Sequence, residues 1–428
     1  MPLSLAAQAV QGNTKATTLS SVAPWVRKAT RIGPADENKR VVITAYLAWR
    51  NEEELEHLIE DQTTPANPRY EQFLTPEQFH AAFSPKVEDV AAVQNALAAL
   101  GFKIENVPAS GLFVQASGTV GQVKQAFHVS QDLYSYAGKI LRSHAEEPSV
   151  PPSISGLVTY IAGLDDSRLL IRPAHVQTAQ AARRTWATSS SFRGSPTFAC
   201  SQYWGARKMQ LESPSPFPYG SDLFTYLCGY TPQQIRAAYS ADKVTQTGKS
   251  VRIAITDLYA SPTIVDDVNR YSANHGLPQL TYENFNQILP PDVNNIPPGD
   301  PCVASSWMTE ETLDVTAAHS MAPGAFIFYV AGACDQIDEP DGGVALEPLY
   351  LVIDNRLADI VSNSWFYYGE EDVPPAQFKT DNAEFMQAAA QGMSIVFCSG
   401  DYGDETLEGR DIGSGAWPAT SPYVTAVG

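Results

Sequence analysis

The chain has 428 residues, 44% hydrophobic and 18% charged, a composition that fits two or three globular domains and excludes a disordered, collagenous or coiled-coil chain. No apolar run reaches the roughly 18 residues that a membrane-spanning helix needs. With 28 basic and 47 acidic side chains the net charge is −19, which argues against a nucleic-acid partner.

Lys39–Trp49 reads as a strand and Glu52–Asp61 as a short amphipathic helix. Thr75-Pro76-Glu77 opens a second helix, with Thr at the cap and Pro in the first turn. Ser84-Pro85 repeats that signal before Val87–Leu100, a helix ended by Gly101. Phe102–Val107 and Leu112–Ser117 flank a Pro-Ala-Ser-Gly turn and predict a hairpin. Val120–Phe127 follows as a helix and Val129–Tyr136 as a last strand. Strand, helices, hairpin, helix, strand is the order of an α+β ferredoxin-like layer, here spanning 36–168.

Residues 169–229 are rich in Ala, Gln, Ser and Thr, carry Arg183-Arg184, and show no sustained periodicity. They read as a linker, with a processing site equally compatible with that composition. From 230 to 428 the pattern changes. Ser250–Thr256, Ala325–Val330, Ile360–Ser364 and Ser394–Cys398 are strands, apolar almost throughout. They alternate with helices beginning at Ser261-Pro262 and spanning Thr309–Met321, Glu347–Asn355 and Asn382–Gln391. Such alternation predicts parallel βαβ units covered on both faces, an α/β doubly wound sheet with its site beyond the carboxyl ends of the strands.

Charge divides along the same boundary. Residues 1–229 carry 20 basic and 20 acidic side chains, and residues 230–428 carry 8 and 27. Of five cysteines, Cys398 lies in an apolar strand and reads as a buried free thiol. Cys200, Cys228, Cys302 and Cys334 can pair as two local loops in an oxidising compartment, although four cysteines allow three pairings. No Cys/His group has metal-ligand spacing. The N-terminus lacks the basic and apolar regions of a signal peptide, so export would need another route or an upstream start.

The chemistry candidate is Trp307-Met308-Thr309-Glu310-Glu311-Thr312-Leu313-Asp314. Glu310 and Asp314 stand at i and i+4, on one helix face, and two carboxyls there oppose each other's ionisation. A solvated helix face has the same spacing, so the pair alone does not decide.

Its surroundings do more. Tyr70–Phe79, Phe83-Ser84-Pro85, Gly118-Thr119-Val120, Gln125-Ala126-Phe127, Ser149-Val150-Pro151 and Ile161–Asp165 resemble the prodomain of the sedolisin (serine-carboxyl peptidase) family, kumamolisin-like. Tyr230–Tyr239 resembles the start of its catalytic domain. Glu310–Asp314, leading into Ala322-Pro323-Gly324-Ala325, resembles its Glu-x-x-x-Asp helix. Cys398–Gly403 and Trp417–Gly428 resemble its Ser-Gly-Asp-x-Gly and Pro-Ala-x-Ser-Pro-Tyr-Val strings. The resemblance implies a subtilisin-like sheet, with Glu310 as general base and Asp314 orienting it. It implies Asp372 as the acid that donates to the oxyanion, with Glu371 close enough to be confused with it.

The family's nucleophilic serine lies in a Gly-Thr-Ser motif, whereas the sole Gly-Thr pair here is Gly118-Thr119, followed by Val120. Ser399 and Ser414 sit in Gly-rich turns that do not match. The expectation is therefore a peptidase domain cut before its nucleophile, inactive as given, with the family's calcium site also beyond residue 428. The implied protein is a secreted, acid-acting endopeptidase zymogen that takes peptide or protein substrates and is held by its own prodomain. Acidification would weaken attraction between the basic connector and the acidic half. The alternative is a non-catalytic binding or inhibitory protein on a peptidase scaffold. His319, nine residues beyond Glu310, reads as a packed histidine rather than a subtilisin-type base.

Overall fold

The structure, a computed structural model, describes residues 21–174, 207–210, 222–225, 230–291, 293–294, 296, 302–332, 346–367, 369–400 and 415–428. Arg183-Arg184, Cys200, Cys228, Cys334, Asp401–Gly403 and Ser414 lie outside these residues. Within the linker, the backbone at 207–210 and 222–225 forms an antiparallel pair of strands, β9 and β10.

The first unit is built from β1 (Thr30–Pro34), β2 (Arg40–Leu47), α1 (Glu52–Thr63), α2 (Pro76–Phe83), α3 (Val87–Ala99), β3 (Lys103–Asn106), β4 (Phe113–Thr119), α4 (Val120–Phe127), β5 (Gln131–Tyr136), β6 (Lys139–His144) and β7 (Val158–Ala162). Capping boxes begin two of these helices. Thr75 accepts from the Gln78 amide while Gln78 reaches back to Thr75, and Thr119 and Gln122 repeat the exchange. The strands form a four-stranded sheet in the order β3-β4-β2-β7, antiparallel throughout.

One expectation fails in placement. Val129–Tyr136 does form strand β5, but it does not close that sheet. The turn Ala137-Gly138, with φ of 49° and 75°, folds β5 onto β6, and β1 takes its other edge. This makes a separate three-stranded sheet, and β7 completes the first one.

The second unit contains α5 (Pro232–Ala238), β11 (Arg252–Leu258), α6 (Ile264–His275), β12 (Phe285–Ile288), α7 (Ala304–Met321), β13 (Phe326–Gly332), α8 (Leu346–Asp354), β14 (Ile360–Asn363), β15 (Trp365–Phe366), α9 (Pro375–Ala390), β16 (Ser394–Cys398) and β17 (Thr425–Val427). Six strands form one parallel sheet, β12-β13-β11-β14-β16-β17. Ile255, Ile327 and Tyr329 pack with Ile264, Val268 and Val315 of α6 and α7 on one face. Ala254, Val330 and Val361 pack with Leu349, Val352 and Ile353 of α8 on the other. The sheet is thus wound on both faces, as its apolar strands require.

Two helices start earlier than expected. α7 begins at Ala304, and Thr309 sits inside it, its hydroxyl donating to the Ser305 carbonyl at 2.8 Å rather than capping. α9 begins at Pro375, where a first-turn proline costs no hydrogen bond.

The four-stranded sheet lies on α8 and α9. Tyr46, Trp49, Phe79, Phe83, Leu112, Phe113 and Tyr160 share one buried cluster with Tyr350, Ala383, Met386 and Ala390. Donors meet acceptors across the seam: the buried Trp49 Nε1 to the Ala383 carbonyl at 2.7 Å, and the Leu74 amide to the Ala390 carbonyl at 2.9 Å. After β7 the chain continues as β8 (Arg172–Pro173), antiparallel to β15.

Candidate active site

β11 is the third strand of six, between β13 and β14, and its carboxyl end carries Asp257. That side chain is fully buried, and neither carboxyl oxygen has a hydrogen-bond partner. Burial, followed by the carboxyls of Asp314, Glu310 and Glu311, pushes the Asp257 pKa well above the carboxylate range. An unpaired buried carboxylate is costly, so this arrangement stabilises the protonated form.

Helix α7 supplies the other three acids. Glu310 is 2% exposed, whereas Leu313 on the outer face is 51% exposed. The Glu310 side of the helix therefore faces the protein, which the solvated-face reading does not fit. Asp314 lies one turn on, its Oδ2 buried and unpartnered. Burial pushes its carboxyl up to about 6, and a hydrogen bond with Ser364 works against the rise. Ser364 follows β14, and its carbonyl accepts the Ala174 amide at 2.7 Å, just beyond β8. β8 also lies against α7.

Glu311 separates from Glu310 by its partners. Its oxygens accept the Ser261 amide and, at 2.9 Å, Gln287 Nε2. Burial is the larger influence and pushes it up to about 8 despite these bonds. Glu311 thus braces the loop after β11 against β12, whereas Asp314 lies beside Ser364.

Glu371 and Asp372 also part company. Glu371 forms an ion pair with Lys28, whose side chain is half exposed. Asp372 is 1% exposed, closes a short turn on the Gly369 carbonyl at 3.0 Å, and accepts the Tyr136 hydroxyl at 3.0 Å. His319 is buried, with Nε2 at 2.7 Å from the Pro278 carbonyl, as a packed histidine would be. Cys302 is disulfide-bonded, whereas Cys398 is in no disulfide and is half-buried rather than buried. Among the described residues no group of His, Cys, Asp and Glu is arranged to hold a metal ion, and no helix is long and apolar enough to cross a membrane.

Asp257, Ser364 and Tyr136 were not singled out from the sequence. The signal for Asp257 was present: an aspartate two residues after the apolar run Ile253–Ile255 puts a charge at the end of a strand that reads as buried.

Residues 27–167 match the family model described as Pro-kumamolisin, activation domain. The chain is 27% identical to kumamolisin of Bacillus sp. (strain MN-32), over 92% of this chain and 63% of that protein. It is 24% identical to sedolisin of Pseudomonas sp. (strain 101), over all of this chain and 68% of that one. It therefore spans about two thirds of the length of these relatives. A solved structure of a Pseudomonas sedolisin complexed with two molecules of pseudo-iodotyrostatin overlaps 47% of this chain and 53% of that one, at 22% identity and a TM-score of 0.39, too loosely to argue from. An activation-domain match followed by a parallel α/β sheet with clustered acids is the arrangement these similarities share. Residues 27–167 thus match a pro-kumamolisin activation domain, and the chain as a whole is similar to kumamolisin and sedolisin.

Proposed function

We propose that this chain carries the proton-handling and oxyanion-binding acids of a secreted, acid-acting serine-carboxyl endopeptidase zymogen, with residues 27–167 as a ferredoxin-like inhibitory prodomain. The observation that supports this most strongly is the grouping of Asp257 and Glu310, both buried, with Asp314, whose Oδ2 is buried, at the carboxyl end of the central strand. Acids sharing a low-dielectric site titrate far apart, so one can be ionised while its neighbour stays protonated. Glu310 takes the proton of an attacking serine hydroxyl, and Asp314 shares it and fixes the orientation of Glu310. Asp257, whose carboxyl feels those of Asp314 and Glu310, resists further charge there. Asp372, when protonated, donates to the oxygen that gains charge as the carbonyl becomes tetrahedral. No residue among 1–428 is assigned the serine's role, and a calcium ion is expected from the family without assigned ligands here.

Activity would fall at high pH as Asp372 ionises and at low pH as the base is protonated. The test is peptide release from a denatured protein substrate at acid pH by the full-length gene product. Glu310→Gln should abolish turnover and Glu311→Gln should retain it, since a glutamine at 311 can keep one acceptor for the Ser261 amide. Turnover surviving Glu310→Gln would overturn the assignment. Inactivity of the unsubstituted protein would favour the non-catalytic reading.

A further inference from the structure

The N-terminal unit has two sheets, and one strap of chain bears on both. β7 ends the four-stranded sheet at Ala162, and residues 163–174 then run beside β6 of the three-stranded sheet on the way to β8. Arg142 of β6 holds the strap. The Asp166 amide donates to the Arg142 carbonyl and the Arg142 amide to Oδ2 of Asp166, both at 2.8 Å. The Arg142 guanidinium adds bonds to the Gly163 and Leu164 carbonyls at 3.0 and 3.2 Å. Two residues on, and so on the same face of the strand, His144 is 0% exposed. Its Nδ1 lies 3.4 Å from the Leu164 carbonyl, which can only accept, so Nδ1 carries the proton and Nε2 is bare. Nε2 is buried too, and no described residue offers it a partner.

We propose that His144 is a proton-operated latch: neutral, it lets the plate of β1, β5 and β6 close on the strap 163–174, and protonated it parts them. The added proton can go only to Nε2. There it makes a charged donor with no acceptor among the described residues, in a site closed to water. The charged groups around the ring do not compensate. Arg142 is a second cation on the same strand face, and its partner Asp166 is already committed to it at 2.9 Å. Asp165 and Glu147 favour a proton on His144, but Asp165 also accepts the Ser167 amide at 2.7 Å and Glu147 the Ser21 amide at 2.8 Å. Burial outweighs them and, with Arg142, holds the His144 pKa below its ordinary 6.5. A histidine depressed in this way binds its proton more readily in the unfolded chain. Its contribution is therefore complete above pH 6.5 and is lost as pH falls from there towards the folded value. The strap ends at Ala174, whose amide donates to the Ser364 carbonyl beside Asp314, so it runs from the latch to the candidate acids. The latch depends on none of the roles proposed for those acids.

Hydrogen exchange in the intact chain tests the latch at the amides of Arg142 and Asp166, corrected for the intrinsic pH dependence of exchange. Between pH 7 and pH 5 their protection should fall about tenfold, the order expected when a buried charged donor lacks an acceptor. His144→Gln keeps a donor for the Leu164 carbonyl but cannot be protonated, and the same amides should then change no more than about twofold. In both proteins the amides that pair β2 with β4 should keep their protection. Unchanged protection at Arg142 and Asp166 in the unsubstituted chain overturns the proposal, as does an equal fall in His144→Gln. So does an equal fall across β2 and β4, which would mean that the whole unit loosens. Should His144→Gln not fold, the assigned imidazole resonance of His144 in the unsubstituted chain decides. Titration below that of the exposed His57 supports the latch, and titration at or above it refutes the latch.

Discussion

Asp381 offers the most quantitative test of how the two units are held together. It projects from α9 under the four-stranded sheet, fully buried. The Tyr350 hydroxyl donates to Oδ1 at 2.6 Å, and Trp417 Nε1 donates to Oδ2 at 2.8 Å. Burial is the dominant influence and pushes its pKa from 3.8 up to about 6, although these donors pull the other way. The sign follows. A carboxyl whose folded pKa is raised contributes most at pH values below its unfolded pKa, and that contribution is lost as pH rises through about 6. A rise of roughly two pH units corresponds to about 3 kcal/mol lost between pH 3 and pH 7. Asp381→Asn removes the ionisation and turns one acceptor oxygen into a donor facing donors, at a pH-independent cost of about 1–3 kcal/mol relative to the protonated parent. The variant should therefore be less stable than the parent at pH 4, and the difference should vanish or reverse by pH 7. Urea unfolding of both proteins from pH 4 to 7 measures it. Other buried acids, Glu384 among them, titrate in both proteins, so the quantity of interest is the difference between the two. A difference that stays constant across that range would refute the reasoning.

Two further outcomes follow from the N-terminal unit. Gly163 sits at φ +83°, and an added Cβ would meet the Val42 carbonyl oxygen at 2.1 Å, so Gly163→Ala should part β7 from β2 and cost at least about 2 kcal/mol, read as a lower thermal midpoint. Arg142 is 1% exposed and pairs with Asp166 at 2.9 Å. Burial alone would raise the Asp166 pKa, but the Arg142 charge and backbone amide outweigh it, and the carboxyl is held below its ordinary value. Arg142→Ala strands a buried carboxylate and should cost about 3–5 kcal/mol near neutral pH. That loss should shrink as pH falls through the folded pKa of Asp166, which calorimetry at pH 7 and pH 3 can follow.

Much of this protein was legible one segment at a time. Thr75-Pro76 with Gln78 caps α2 because the cap, the proline and the glutamine act within four residues of one another. The apolar runs at β11, β14 and β16 form parallel strands because only a doubly covered sheet buries such runs. Glu310 and Asp314 share a helix face because 3.6 residues make a turn. Other features were not local. Whether that face meets water or Asp257 depended on the order of the sheet, which puts β11 between β13 and β14 beneath α7. The placement of Val129–Tyr136 turned on the two residues at 137 and 138, whose positive φ folds the strand onto β6. Glu371 and Asp372, adjacent in the chain, were told apart only by what packs on them, a half-exposed lysine on one and a partly buried tyrosine on the other. Periodicity and capping are settled by groups a few bonds away. The charge state of a buried acid is set by its neighbours in space, and in this protein those come from strands and helices far apart in the sequence.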